Sequence, residues 1–101
     1  MVKVIWTKRA LDDLEEIGDY ISKNSFQYAR LTLIKIIDTD LLITDNPMIG
    51  RIVPEINDKR IREIIKGSYR IIYQIKKSKS AEILTVFHSS RLLNEKDLQS
   101  Q

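Results

Sequence analysis

Residues 59–91 read KRIREIIKGSYRIIYQIKKSKSAEILTVFHSSR and contain three runs rich in β-branched and aromatic residues. The runs, at 60–65, 69–75 and 82–87, are split by Lys66-Gly67-Ser68 and by residues 76–81. This is the pattern of an antiparallel meander with two tight connections. Within the middle run Ile71, Tyr73 and Ile75 fall on one face, while Arg70, Ile72, Gln74 and Lys76 fall on the other. One face asks for a core and the other carries charge.

Upstream of the meander, residues 2–6 form a short β-prone run that ends at Thr7, a good helix N-cap, so a strand leading into a helix is expected. Leu11, Leu14, Ile17, Gly18 and Ile21 then recur at helical spacing, with Asp12, Asp13, Glu15, Glu16 and Asp19 on an acidic outer face. Lys23-Asn24-Ser25 breaks this helix, and Asn24 or Ser25 can cap a second one with the stripe Phe26, Ala29, Leu33, Ile36, Ile37 and Leu41. Ile34, Leu42 and Ile43 lie off that stripe and are candidates for an interface or for self-association, with core packing as the plain alternative. So short a link makes the helices an antiparallel hairpin. Pro47 ends the second helix, and residues 48–58 read as an extended surface loop. Residues 92–101 (LLNEKDLQSQ) read as a frayed tail or a single helical turn.

The expected fold is α+β, in the order β-α-α-β-β-β. A two-helix antiparallel hairpin packs on one face of a four-stranded, mainly antiparallel sheet, and the opposite face stays open to water. At 101 residues the chain is expected to be one domain, 1–101, with a single modest core. It has no cysteine, which excludes disulfides and thiolate metal sites and favours a reducing, cytoplasmic location. No apolar run approaches the length needed to cross a bilayer, and the first residues do not form a signal peptide. Neither a metal nor a cofactor is expected, because no ligand spacing, phosphate-binding loop, carboxylate pair or serine triad occurs.

Charge is divided unevenly. Residues 1–50 carry 6 Lys+Arg against 8 Asp+Glu, and residues 51–101 carry 11 against 6, so the basic half is the sheet half. Such a split suits an anionic partner, a phosphate backbone or an acidic protein segment, and is also compatible with a merely solvated basic surface. The planar, permanently charged guanidinium is the natural phosphate ligand. Arg60 and Arg62 share a face of the first meander strand, Arg70 begins the next, and Arg91 lies past the last. Depending on register these four, with Lys59 beside them, converge at one end of the open face. Alternatively, each caps or pairs locally with Glu55, Glu63 or Glu82. His88, the only histidine, is a candidate general acid or base, or a structural hydrogen-bonding residue. Tyr69 and Tyr73 are candidates for a hydroxyl or a stacking surface, with Tyr73 sharing the parity of the core positions.

The ordered series Trp6, residues 10–17 (ALDDLEEI), Tyr20-Ile21, residues 47–51 (PMIGR), Ile61-Arg62-Glu63, residues 67–73 (GSYRIIY) and residues 86–91 (VFHSSR) resembles the RelE/ParE superfamily of toxins from type II toxin-antitoxin systems. Within it the chain is closer to the ParE, or plasmid-stabilisation, branch. The resemblance implies a growth-inhibiting toxin, a cognate antitoxin that covers it, and a target. For ParE-like members that target is DNA gyrase, and for RelE-like members it is messenger RNA cleaved on the ribosome, as by an mRNA interferase. On the RelE pattern Arg70 corresponds to the arginine of a Gly-Tyr-Arg turn and Arg91 to the arginine after the last strand. Arg60 and Arg62 stand where a basic pair is placed. The RelE C-terminal tyrosine has no counterpart after Arg91. Cleaving RNA through its own 2′-hydroxyl needs a proton acceptor as well as cations, and here only His88 or a lysine such as Lys59 is available. That departure favours the gyrase reading.

Overall fold

The computed structural model describes residues 2–91 together with Leu93 and Leu98. Strand β1 (Lys3–Trp6) leads into helices α1 (Lys8–Ser22), α2 (Phe26–Ile37) and α3 (Thr39–Asp45). Strands β2 (Arg51–Ile52), β3 (Ile61–Lys66), β4 (Tyr69–Lys76) and β5 (Ser80–His88) follow. The strands form one sheet in the order β1-β5-β4-β3-β2. β1 runs parallel to β5, and the other pairings are antiparallel. The expected four-stranded meander sheet is therefore present, extended by the two-residue β2, with the N-terminal strand at the edge.

Local chemistry sets the boundaries. Thr7 Oγ1 accepts the Ala10 amide at 3.1 Å and donates to the Ile83 carbonyl at 2.9 Å, so one hydroxyl caps α1 and ties it to β5. Ser25 Oγ caps α2 by accepting the Tyr28 amide at 3.0 Å. The second predicted helix is broken at Asp38 into α2 and α3. Gly67, with φ of 57°, is the first of the two residues joining β3 to β4. A left-handed first turn residue suits glycine and matches the twist of the strands it joins. In β5 an extra residue, Leu84, opposes the step from Ile72 to Tyr73 and forms a bulge.

The helix side of the sheet holds the larger core, in which Ile71, Tyr73, Ala81, Ile83 and Val86 pack with Ala10, Ile36 and Ile43. Asp13, expected on the acidic outer face, turns inward instead. Its Oδ2 accepts the Val86 amide at 2.9 Å and the Thr85 hydroxyl at 2.6 Å, which satisfies the margin of β5 beyond the end of β1. Trp6 Nε1 donates to Asp40 at 3.0 Å and anchors α3 to β1.

Two expectations are corrected. The opposite face of the sheet is not open: Ile61, Ile72 and Phe87 are buried there beneath Val53 and Leu93, with Ile56 and Leu98 packed around them. The segment between β2 and β3 thus acts as a cover. Nor is the α2 stripe wholly inward. Ala29 and Ile36 are buried, but Phe26 is 78% exposed and Leu41 69% exposed. Of the off-stripe residues, Ile43 is fully buried while Ile34 is exposed. The predicted tail over 92–101 lies outside the described residues, apart from Leu93 and Leu98. No helix among the described residues is long and apolar enough to cross a membrane.

Candidate functional site

β3 and β4 pair with Lys66 opposite Tyr69, so Arg62 lies across from Tyr73 and Ile65 across from Arg70. Side chains opposite one another share a face. Arg62 therefore projects to the helix side with Tyr73, whereas Arg70 projects to the loop side with Glu63. Of the two alternatives the sequence leaves, convergence of Arg60, Arg62, Arg70 and Arg91 does not occur, and Arg70 pairs locally with Glu63 and Glu55.

Each basic residue has its own role. Arg60 lies before β3 and grips Asp58, with its backbone amide at 2.9 Å and its Nη2 at 3.1 Å from that carboxylate. These hydrogen bonds hold the Asp58 carboxyl below its ordinary range and raise Arg60. Arg62 binds backbone: Nη1 donates to Gly50 O at 2.9 Å, and Nε donates to Lys59 O at 3.0 Å. The Lys59 side chain stays exposed. Together with Tyr73, whose hydroxyl donates to Pro47 O at 2.6 Å and accepts the Gly50 amide at 2.9 Å, Arg62 stitches residues 47–51 to the sheet. A Cβ on Gly50 would stand 2.7 Å from Glu63 O and 2.8 Å from the Tyr73 hydroxyl, so only glycine fits.

Arg70 is the centre of the loop side. Its side chain is 7% exposed. Nε donates to Glu63 Oε1 at 2.6 Å, while Nη1 and Nη2 form a fork on Glu55 at 2.8 and 2.9 Å. Glu63 is fully buried and is shared with Arg51 from β2. Glu55 also accepts the Leu93 amide at 3.1 Å. Two arginines and two carboxylates alternate, so their formal charges cancel. Hydrogen bonding to Arg70 lowers the Glu55 carboxyl to about 2, and Glu55 and Glu63 raise Arg70 in turn. The guanidinium of Arg70 lies 5.4 Å from the Phe87 ring centroid and that of Arg91 lies 4.8 Å from it. Arg70 and Arg91 are thus the two predicted cations that come together, through Phe87.

His88 is elsewhere. It pairs with Tyr69 on the helix side, the rings meeting edge to face with centroids 5.7 Å apart. Its Nδ1 lies 2.8 Å from Ser90 Oγ. Tyr20, Tyr28, Tyr69 and His88 border a shallow cavity of about 370 Å³. The sheet separates the imidazole from the Arg70 guanidinium.

Sequence reasoning did not find the four-member lattice, although Glu55 and Glu63 were named as possible local partners. It also missed a second feature. α2 leans on α1 and stands away from β3 and β4, leaving a cleft of about 590 Å³ lined by Lys35, Asp38, Leu41, Leu42, Lys66 and Gly67. Tyr28, Leu31 and Tyr69 continue it toward the helix turn. The sequence signal was the apolar breadth of α2, which exceeds what one sheet face can cover.

Residues 4–93 match the family described as ParE toxin of type II toxin-antitoxin system, parDE. A protein of Sinorhizobium fredii (strain NBRC 101917 / NGR234) described as "Putative toxin Y4kP" is 33% identical over 87 residues, covering 86% of this chain and 88% of that one. Among solved structures, a chain of the chromosomal ParDE toxin-antitoxin system of P. aeruginosa superposes with a TM-score of 0.70 at 20% identity, covering 87% of this chain and 96% of that one. A chain of the RelBE2 toxin-antitoxin complex of Mycobacterium tuberculosis superposes with a TM-score of 0.62 at 20% identity, covering 86% and 96%. The two structures share the fold, a helix hairpin on a meander sheet, while the family match extends from β1 to Leu93 and takes in the Gly50 stitch and the Arg70 lattice. On that match the chain belongs to the ParE toxin family of type II toxin-antitoxin systems.

Proposed function

We propose that this chain is a growth-inhibiting toxin that acts on DNA gyrase through protein contacts, is neutralised by a cognate antitoxin, and does not cleave messenger RNA. The observation that carries the reading is the state of Arg70. A guanidinium held by two carboxylates and nearly excluded from water has no capacity left for a scissile phosphate, and freeing it would leave the buried Glu63 with the largely exposed Arg51 as its remaining ion-pair partner among the described residues. His88, one of the two candidate general bases, sits on the other face of the sheet, and the other, Lys59, lies exposed on the segment before β3. Residues 92–101 contain no tyrosine to replace either. The parts of a transesterification site are thus separated or occupied.

The antitoxin reading rests on the cleft between α2 and the β3–β4 turn. It is long, partly apolar and rimmed by Lys35 and Lys66, which suits an amphipathic helix with acidic flanks.

Two assays on the purified chain separate the targets. Inhibition of gyrase supercoiling, with no cleavage of ribosome-bound message, is the expected result. Message cleavage that disappears in His88→Ala would overturn the reading in favour of an endoribonuclease. Lys35→Glu combined with Lys66→Glu is expected to weaken antitoxin binding by about tenfold or more and to leave supercoiling inhibition intact.

A further inference from the structure

The outer face of the helix hairpin, turned away from the sheet, carries an open groove of about 440 Å³ between α1 and α2. Its floor is Leu14, Gly18 and Leu33. A Cβ at position 18 would stand 3.0 Å from Leu33 Cδ1, so the glycine lets α2 settle close to α1 and keeps the floor shallow. Phe26 rises from one end, its ring mostly in water, and Ile34 and Ile37 continue the exposed apolar row along α2.

The charges on the two walls differ in sign. Glu15 and Asp19 occupy the α1 wall, Arg30 occupies the α2 wall, and all three are exposed. Among the described residues no ion pair joins them, although Lys8 and Asp12 on the same hairpin do pair at 2.9 Å. A groove with an acidic wall, a basic wall and an apolar floor is complementary to itself. A two-fold rotation lays the basic wall of one copy on the acidic wall of another and seats an exposed aromatic ring over each floor, as an isologous contact requires. An acidic helix of the kind that suits the Lys35–Lys66 cleft would meet Glu15 and Asp19 here as like charges.

We propose that this face is the interface of a two-fold homodimer, in which Arg30 of each copy pairs with Glu15 and Asp19 of the other and Phe26 supplies the apolar anchor. The pairing is independent of which cellular target the toxin attacks, and it leaves the α2–β3 cleft free.

Sedimentation of the full-length chain tests it. The weight-average mass is expected to rise from 11.8 kDa toward twice that value over roughly 1–100 µM, the range of small, transient interfaces. Arg30→Glu and Glu15→Arg, both at exposed positions, should each weaken self-association about tenfold by placing like charges opposite each other. Mixing the two single variants in equal amounts should restore it, because the mixed pair regains both contacts. Phe26→Ser should abolish association while the circular dichroism spectrum stays unchanged. A wild-type chain that is monomeric throughout would overturn the proposal, as would single variants that associate normally or a mixture no better than its components. If Arg30→Glu instead weakens binding of the antitoxin to a monomeric toxin, the groove is the antitoxin's and the homodimer is wrong.

Discussion

On its helix side the sheet buries Ile71, Tyr73 and Ile83 under regular amphipathic helices. On its loop side Ile72 and Phe87 are buried under a segment with almost no regular structure. The first side is closed by repetition, since a helical stripe delivers an apolar side chain every three or four residues along a rigid rod. The second side has no such rod. Val53 and Ile56 reach the sheet individually, and the backbone that carries them is pinned by Glu55 on Arg70, by Arg51 on Glu63 and by the Gly50 amide on Tyr73. Where secondary structure cannot hold a cover in place, directional ion pairs and hydrogen bonds do so. Arg70, read from the sequence as a candidate anion ligand, is thus used to hold the fold.

Breaking the lattice should have the largest effect. Glu63→Ala leaves Arg70 buried beside Arg51 without a shared carboxylate and is expected to cost about 3–5 kcal/mol in urea unfolding. Replacing Glu63 and Arg70 together by methionine should cost less than half as much, because no buried charge is left alone. A Glu63→Ala variant no less stable than the double replacement would show that the lattice is not structural. Next come cavities on the two faces. Ile83→Ala should fall in the upper part of the range of about 2–5 kcal/mol and Ile72→Ala in the lower part, since an irregular cover can settle into a cavity and packed helices cannot. A reversed order would mean that the loop side is the more rigid.

Gly50→Ala should destabilise by about 1–3 kcal/mol through overpacking against Glu63 O and the Tyr73 ring. The pH dependence gives a finer measure. Glu55 is lowered from 4.5 to about 2 in the folded chain, so the unfolded chain binds more protons between those values and stability falls as pH drops through that window. The difference in melting temperature between the wild-type chain and Glu55→Gln should therefore be constant above pH 5 and shrink toward pH 2. The smallest effect belongs to the exposed Lys8–Asp12 pair, for which Lys8→Ala should leave the urea midpoint unchanged within error.

The helix side was legible in the sequence because its signal is periodic. Thr7, Ser25, Pro47 and Gly67 mark boundaries by mechanisms that act within a few residues, and Ile71, Tyr73 and Ile75 alternate plainly. The loop side was not legible, because Val53, Ile56 and Glu55 follow no period and find their partners across the fold. The register was left open for a clearer reason. Treating Lys66-Gly67-Ser68 as an undivided breaker hid a two-residue turn, and once Lys66 faces Tyr69 the parity of the ladder forces Arg62 and Arg70 to opposite faces. Phe26 and Leu41 were read as core because spacing identifies a stripe without showing how far its cover extends.

The edge strand at the start of the chain also bears on how the molecule comes into being. Thr7 and Ile83, which it brings into contact, lie 76 positions apart. At synthesis rates of roughly 5–20 residues per second, about 4–15 s separate the emergence of the two. Throughout that interval the hairpin has no floor to rest on, so the apolar residues of α1 and α2 that later meet the sheet stand in water. Any protein that recognises those residues would find them uncovered before the sheet closes over them.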